Sequence, residues 1–182
     1  MEKIATKTMK AAVNTAYGTT DVLHFKEVET PIPKATEVLI HIHATTVNRT
    51  DCGFLVAEYF LVRLFWGLFK PKKTILGTEF AGKIVAIGKD VQTFKIGDAV
   101  FGLSADDFGA HAEYLCMSEN GSVALKPQNI DYQQAAAICE GAYLAMVALE
   151  PFLITFSAIV RQRTGVDLAL KVILRRSLKL VK

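Results

Sequence analysis

Between Met9 and about Pro127 the chain is a series of short apolar runs punctuated by glycine, aspartate and proline, and this rhythm constrains the fold more than any other feature. Runs of that length between turn residues read as β-strands, and many of them in succession read as a barrel or sandwich. Val38, Ile40 and Ile42 alternate with Leu39, His41 and His43, a period of two that ends at Ala44. Met9 to Val13 is a second run, before a turn at Tyr17-Gly18. Phe80 to Gly88 reads as a strand broken at Gly82, and Ile96-Gly97-Asp98 is a turn feeding Ala99-Val100-Phe101. Ala112 to Met117 and Ser122 to Leu125 complete the set. Gly77, Gly82, Gly88, Gly97, Gly102 and Gly109 suit turns, bulges and strong curvature. The expectation is a mainly β chain with helices (α+β), built on a partly open β-barrel.

Two segments interrupt this pattern. Phe54 to Phe69 is dense in large apolar side chains and is shorter than the roughly 20 residues a bilayer crossing needs. A core or lid helix is the first reading, and a helix lying on a membrane surface the second. Ile130 to Glu150 is rich in alanine, with Asp131 as an N-cap and Gln134 at capping-box spacing. One or two helices are expected there, interrupted near Gly141.

Composition sets the class. Hydrophobic residues are 51% of the chain and charged residues 21%, enough to bury a core and too apolar for wholesale disorder. Cys52, Cys116 and Cys139 are odd in number and widely spaced, so no disulfide framework is expected. A reducing, cytoplasmic setting follows from that, and no secretory signal pattern opens the chain. Charge is asymmetric. Residues 151–182 carry seven Lys or Arg against Asp167 alone, a net +6, and residues 1–150 carry 14 basic and 17 acidic residues, a net −3. The body therefore lacks the cationic excess that phosphate backbones demand, and nucleic-acid binding is not expected of it. In the tail, Lys171, Arg175, Lys179 and Lys182 share one helical face. That fits a basic amphipathic helix able to reach a membrane surface or acidic partner, or equally a solvated terminal segment.

Several motifs in order then suggest a family: Ala44-Thr45-Thr46-Val47-Asn48-Arg49-Thr50-Asp51, Gly77-Thr78-Glu79-Phe80-Ala81-Gly82 running to Gly88, and Val91 to Gly102. Gly109-Ala110-His111-Ala112-Glu113-Tyr114, Ala124 to Pro127 and Gln134 to Leu149 follow. Residues 9–150 resemble the N-terminal, GroES-like catalytic domain of the medium-chain dehydrogenase/reductases, most of all their zinc-independent, quinone-oxidoreductase-like branch. The resemblance implies a GroES-like domain over 9–129, helices over 130–150 that lead into a nucleotide-binding domain, and a divergent basic tail over 151–182. It implies NADPH or NADH as cofactor and a quinone, enone or carbonyl as substrate.

The resemblance also locates a site. Where the zinc-dependent branch has a cysteine and a histidine ligand, this chain has Asn48 and Thr78, and the third ligand position falls near Cys139-Glu140. An amide and a hydroxyl are poor partners for zinc, and the cysteine-rich structural lobe is missing between Gly102 and Tyr114, so no metal is expected. A carbonyl would then be polarised by hydrogen bonds or by the cofactor environment. Asn48 is placed beside the nicotinamide, to donate to substrate or cofactor; it is equally a loop residue bonded to its own turn. Asp51 is a supporting acid or a helix cap. Thr78 and Glu79 reach the same cleft, with Glu79 pairing to a nearby Arg or Lys. Tyr59 is a proton donor if its segment lids the cleft, and otherwise a core aromatic. Glu140 and Leu144 are placed against the cofactor. His41 and His43 read as solvent-facing strand residues rather than a metal pair, and Cys52 as a buried thiol.

No G-x-G-x-x-G pattern occurs, and residues 151–182 show no strand, glycine loop and helix in sequence. The expectation is a chain truncated before its Rossmann domain and weak or absent in cofactor binding, with turnover by the chain alone left open. The alternative is a non-catalytic GroES-like binding or oligomerisation module with a membrane- or partner-binding tail. Helices that would pack on an absent domain leave apolar surface, which a homodimer is one way to cover.

Overall fold

The computed structural model describes residues 7–149 apart from 59 and 146, so the basic tail lies outside the described residues. Its strands are β1 (Thr8–Asn14), β2 (Leu23–Glu29), β3 (Glu37–Thr45), β4 (Glu79–Ile87), β5 (Ala99–Leu103), β6 (Tyr114–Ser118) and β7 (Val123–Leu125). The helices are α1 (Arg49–Val56), α2 (Phe60–Trp66) and α3 (Tyr132–Ala137), with further helix over 139–145. β1 and β2 form an antiparallel pair, and the other five strands form one antiparallel sheet in the order β6-β3-β4-β5-β7. Isolated bridges from Ala11 to Ala112 and from Val13 to Ile75 tie the pair to the remainder. The architecture is the expected α+β one, a curled antiparallel half-barrel carrying a few helices.

Curvature comes from the centre of the large sheet. Between β3 and β4 the register slips twice, between Leu39 and Ile40 and between Ile42 and Ala44. Each slip is a bulge that bends and twists the strands. Gly82 does not break β4, as the sequence suggested. It sits where β3 comes closest, and a Cβ there would lie 2.2 Å from the carbonyl oxygen of His41. Only glycine lets the backbones meet at that distance.

The barrel interior holds Val38, Ile40, Phe80, Ile84, Phe94, Val100, Ala110, Leu115 and Met117. Each fully buried side chain of this size contributes roughly 1.5–3 kcal/mol relative to exposure. Leu39, on the opposite face of β3, is also fully buried. The outer face of the sheet is covered as well: Ala135 and Ala136 of α3 pack on Ala81, where alanines permit close approach. The capping box at the start of α3 forms as expected, Asp131 accepting from the Gln134 backbone at 2.7 Å and Gln134 accepting from the Asp131 backbone at 3.1 Å.

Four expectations need correction. Phe54 to Phe69 is two short helices, because Ala57 ends α1 in the left-handed region at φ 46°. Only the inner side of this segment packs, with Leu55 buried and Phe54 and Trp66 meeting Phe108 and Leu76. The interruption after α3 falls at Ile138 instead of Gly141, which lies inside helix. Cys52 is exposed: α1 buries Asp51 and Leu55, and a residue one step on from Asp51 is turned outward. β2 was not foreseen at all, since its largely exposed, charged text carries no apolar alternation and is fixed only by pairing with β1.

Candidate functional site

The site begins where β3 gives way to α1. Asn48 is the N-cap of α1, with extended backbone, and its Oδ1 accepts from the Asp51 backbone N–H at 3.0 Å. Asp51 returns the bond, its Oδ2 accepting from the Asn48 N–H at 3.1 Å. This reciprocal capping box satisfies two donors that a helix start leaves open.

Asp51 does more than cap. It is 2% exposed, and its Oδ1 accepts from the Gly77 N–H at 3.0 Å. Gly77 has φ 97°, and a Cβ there would lie 2.5 Å from the backbone nitrogen of His111. The pair therefore sets the position of the chain entering β4, where Thr78 and Glu79 follow. Asn48 closes the ring: its Nδ2 donates to Thr78 Oγ1 at 2.7 Å and to Glu79 Oε2 at 3.2 Å. The two loops that the sequence placed together do meet.

Glu79 is 3% exposed and has no Lys or Arg partner among the described residues, contrary to expectation. Its inward strand position lies under the start of α1, and neutral donors surround it. Oε2 accepts from the Thr46 hydroxyl as well as from Asn48, and Oε1 accepts from the Glu140 N–H at 2.6 Å. Thr50 Oγ1 donates to Glu140 Oε1 at 2.6 Å, while Glu140 Oε2 is buried without a partner among the described residues. Next to it, burial and then the Glu79 charge push the Cys139 thiol up to about 12, so it stays protonated. Leu144 stands exposed one turn beyond Glu140. Tyr59 lies outside the described residues.

Three participants carried no signal of their own in the sequence. Thr46 and Thr50 flank Asn48 and look like any loop threonine. His111 lies inside the Gly109–Tyr114 motif but far away in sequence. Its Nε2 donates to the Thr46 carbonyl at 2.8 Å, because a carbonyl can only accept, and stands 3.7 Å from Asp51 Oδ2. A cleft of about 830 Å³ opens beside this histidine, lined among others by Asp51, Cys52, Val47, His43 and Leu76. Asn48, Thr78, Glu79 and Glu140 do not line it, and the network meets the cleft only through Asp51 and its neighbours Thr45 and Val47.

His43 is exposed, as expected of a solvent-facing strand residue, whereas His41 is not. His41 is half-buried near Tyr114, at 4.9 Å between ring centroids, and His43 stacks on Tyr132 at 4.4 Å. Partial burial and the neighbouring His41 and Lys83 hold the His43 imidazole below its ordinary value. Among the described residues no group of three or more His, Cys, Asp or Glu is arranged to hold a metal ion, and no helix is long and apolar enough to cross a membrane.

Comparison with known proteins agrees with this geometry. The alcohol dehydrogenase GroES-like domain family matches residues 34–128. A chloroplastic quinone-oxidoreductase homolog of Spinacia oleracea is 38% identical over 153 residues, covering 82% of this chain and 44% of that protein. A chloroplastic NADPH-dependent alkenal/one oxidoreductase of Arabidopsis thaliana is 34% identical over 140 residues, covering 72% of this chain and 34% of that protein. The solved quinone oxidoreductase of Coxiella burnetii superposes with a TM-score of 0.71 at 30% identity, covering 80% of this chain and 45% of that one. This chain thus spans less than half the length of the relatives it matches. By these matches the chain belongs to the alcohol dehydrogenase GroES-like domain family, within the quinone-oxidoreductase-like medium-chain dehydrogenase/reductases.

Proposed function

We propose that this chain is the catalytic-domain portion of a zinc-independent, NAD(P)H-dependent oxidoreductase that reduces quinones, enones or related carbonyls. The observation that carries the reading is the direct hydrogen bond from Asn48 to Thr78, 2.7 Å long, between the two positions where the zinc-dependent branch has ligands. The side chains spend their polar atoms on each other and on Glu79, and neither is a ligand type that zinc favours.

The fit to a nicotinamide cofactor is partial. Glu140 Oε2 is a buried acceptor with no partner among the described residues, and a ribose hydroxyl or carboxamide N–H would satisfy it. Glu140, oriented by Thr50, and Leu144 would hold that end. The described residues contain no glycine loop opening a helix to cradle a pyrophosphate. The cofactor, when bound, supplies the hydride. The chain's own contribution is positioning. Asn48 holds Thr78, and both of its N–H bonds are committed internally. The Thr78 hydroxyl accepts from Asn48 and is buried, away from the cleft beside His111. Asp51 and Glu79 fix the two loops, so Asn48, Asp51, Thr78 and Glu79 act as positioning residues.

The test is NADPH titration by fluorescence, with quinone-dependent loss of NADPH and metal content measured on the same preparation. NADPH binding, weak in a chain whose described residues hold no pyrophosphate cradle, with oxidation that depends on added quinone and no stoichiometric zinc, supports the reading. Absence of NADPH binding favours the non-catalytic module, and one zinc per chain overturns the metal-free site.

A further inference from the structure

We propose that α2 and the loop after it form a docking surface for an anionic phospholipid bilayer. Leu61, Leu64 and Phe65 of α2 are 65%, 53% and 66% exposed, and Leu68 and Phe69 just beyond it are 46% and 86% exposed. Five large apolar side chains in nine residues is a concentration that scattered surface hydrophobes do not reach. The loop turns back on the helix. Gly67, at φ 124°, donates to the Arg63 carbonyl at 2.9 Å, and the Lys72 N–H donates to the Trp66 carbonyl at 2.8 Å. This brings Leu68, Phe69 and Lys70 against the C-terminal end of α2, so the apolar residues and the cations form one surface.

Charge selects the occupant. Residues 60–73 contain Arg63, Lys70, Lys72 and Lys73 and no acidic residue, with Glu58 just before them. Lys73 pairs with Asp107 at 2.6 Å, and Arg63 is held by the Ala57 carbonyl and the Tyr17 ring. Lys70 and Lys72 have no ion-pair partner among the described residues. An apolar stripe fringed by unpaired cations matches a lipid interface, where the rings enter the acyl boundary and the ammonium groups meet phosphate and carboxylate headgroups. A second copy docked face to face would set these cations against each other. The chain's own tail is a poor cover for the same reason, since residues 151–182 carry a net +6.

The chain contains its own probe. Trp66, its one tryptophan, is on α2, half-buried against Phe54 at 4.9 Å. The full chain is mixed with phosphatidylcholine vesicles with and without phosphatidylserine, some carrying brominated acyl chains. Expected are association that requires phosphatidylserine, weakens with salt, and quenches Trp66 by bromine. Phe65→Ser with Phe69→Ser lowers the partition constant about tenfold or more, and Lys70→Glu with Lys72→Glu abolishes the phosphatidylserine dependence. All four positions are solvent-exposed, and unchanged circular dichroism confirms the fold of each variant. The proposal is overturned by binding that leaves Trp66 unquenched, which assigns attachment to the tail. It is equally overturned by variants that bind like the parent, or by the phenylalanine pair converting a dimer to monomer with vesicle binding unchanged.

Discussion

Asp51 fastens the Asn48 turn to the Gly77 turn, and its removal has a calculable cost. One oxygen accepts from the Asn48 N–H at 3.1 Å and the other from the Gly77 N–H at 3.0 Å. Hydrogen bonds to a charged partner contribute about 1.5–3 kcal/mol each, and Gly77 is buried, so its N–H has no water to turn to. Part of the loss is returned, because a buried carboxylate no longer has to be desolvated. Asp51→Ala should therefore cost about 3–4 kcal/mol, and Asp51→Asn, which keeps one acceptor, about half of that. Urea unfolding followed by circular dichroism reads this as a lowered midpoint at unchanged slope. Amide exchange supplies a local check, since the Gly77 N–H should lose protection in the alanine variant before the β3–β4 ladder does. A loss under about 1 kcal/mol with Gly77 still protected would refute the account of Asp51 as the fastening group.

Gly53 and Gly82 mark opposite extremes. Gly53 lies inside α1 with nothing within 4 Å of a built Cβ, so Gly53→Ala should stabilise by roughly 0.5–1 kcal/mol in thermal unfolding. Gly82→Ala, which sets a methyl 2.2 Å from the His41 carbonyl, should prevent accumulation of folded protein. Thiol titration of the native chain should show one fast cysteine, Cys52, while Cys116 and Cys139, both pushed to about 12 chiefly by burial, react only on unfolding. Two fast thiols would contradict that. The lowered His43 value means the unfolded chain binds the proton more readily. The stability it confers is present above the ordinary imidazole range and is lost as pH falls through the folded value, and His43→Gln should flatten that slope.

Every strand but β2 was legible as a short apolar run between turn residues, and β1, β3, β4, β5 and β6 each carry buried residues on at least one face. β2 escaped because its stability is borrowed from β1, and pairing energy between distant strands leaves no mark in a window of seven exposed residues. The site divided similarly. Asn48 and Asp51 stand out by the Ala44–Asp51 motif they close, and Thr78 and Glu79 by the motif they open. The partner of Glu79 was misread, since an acidic residue in a loop usually finds a cation, whereas this one is carried inward by the strand and meets a ring of neutral donors. Thr46, Thr50 and His111 had no local signature, because their roles exist only once β3, α1 and β4 converge.

That convergence explains how hydrogen bonds hold the two loops of this site to one another. A bound ion fixes three side chains from separate segments to one point and makes folding depend on their deprotonation. Here the same segments are joined by a directional chain of hydrogen bonds, from Gly77 to Asp51, through the capping box to Asn48, then to Thr78 and Glu79, and on to the Glu140 backbone. Each member is held by at least one backbone donor or by a partner that is. The network is cooperative, since loss of one bond leaves a buried donor or acceptor unmatched at the next. Single substitutions at Asn48 and Asp51 should for that reason cost less in combination than their sum, a coupling that a set of independent contacts would not produce.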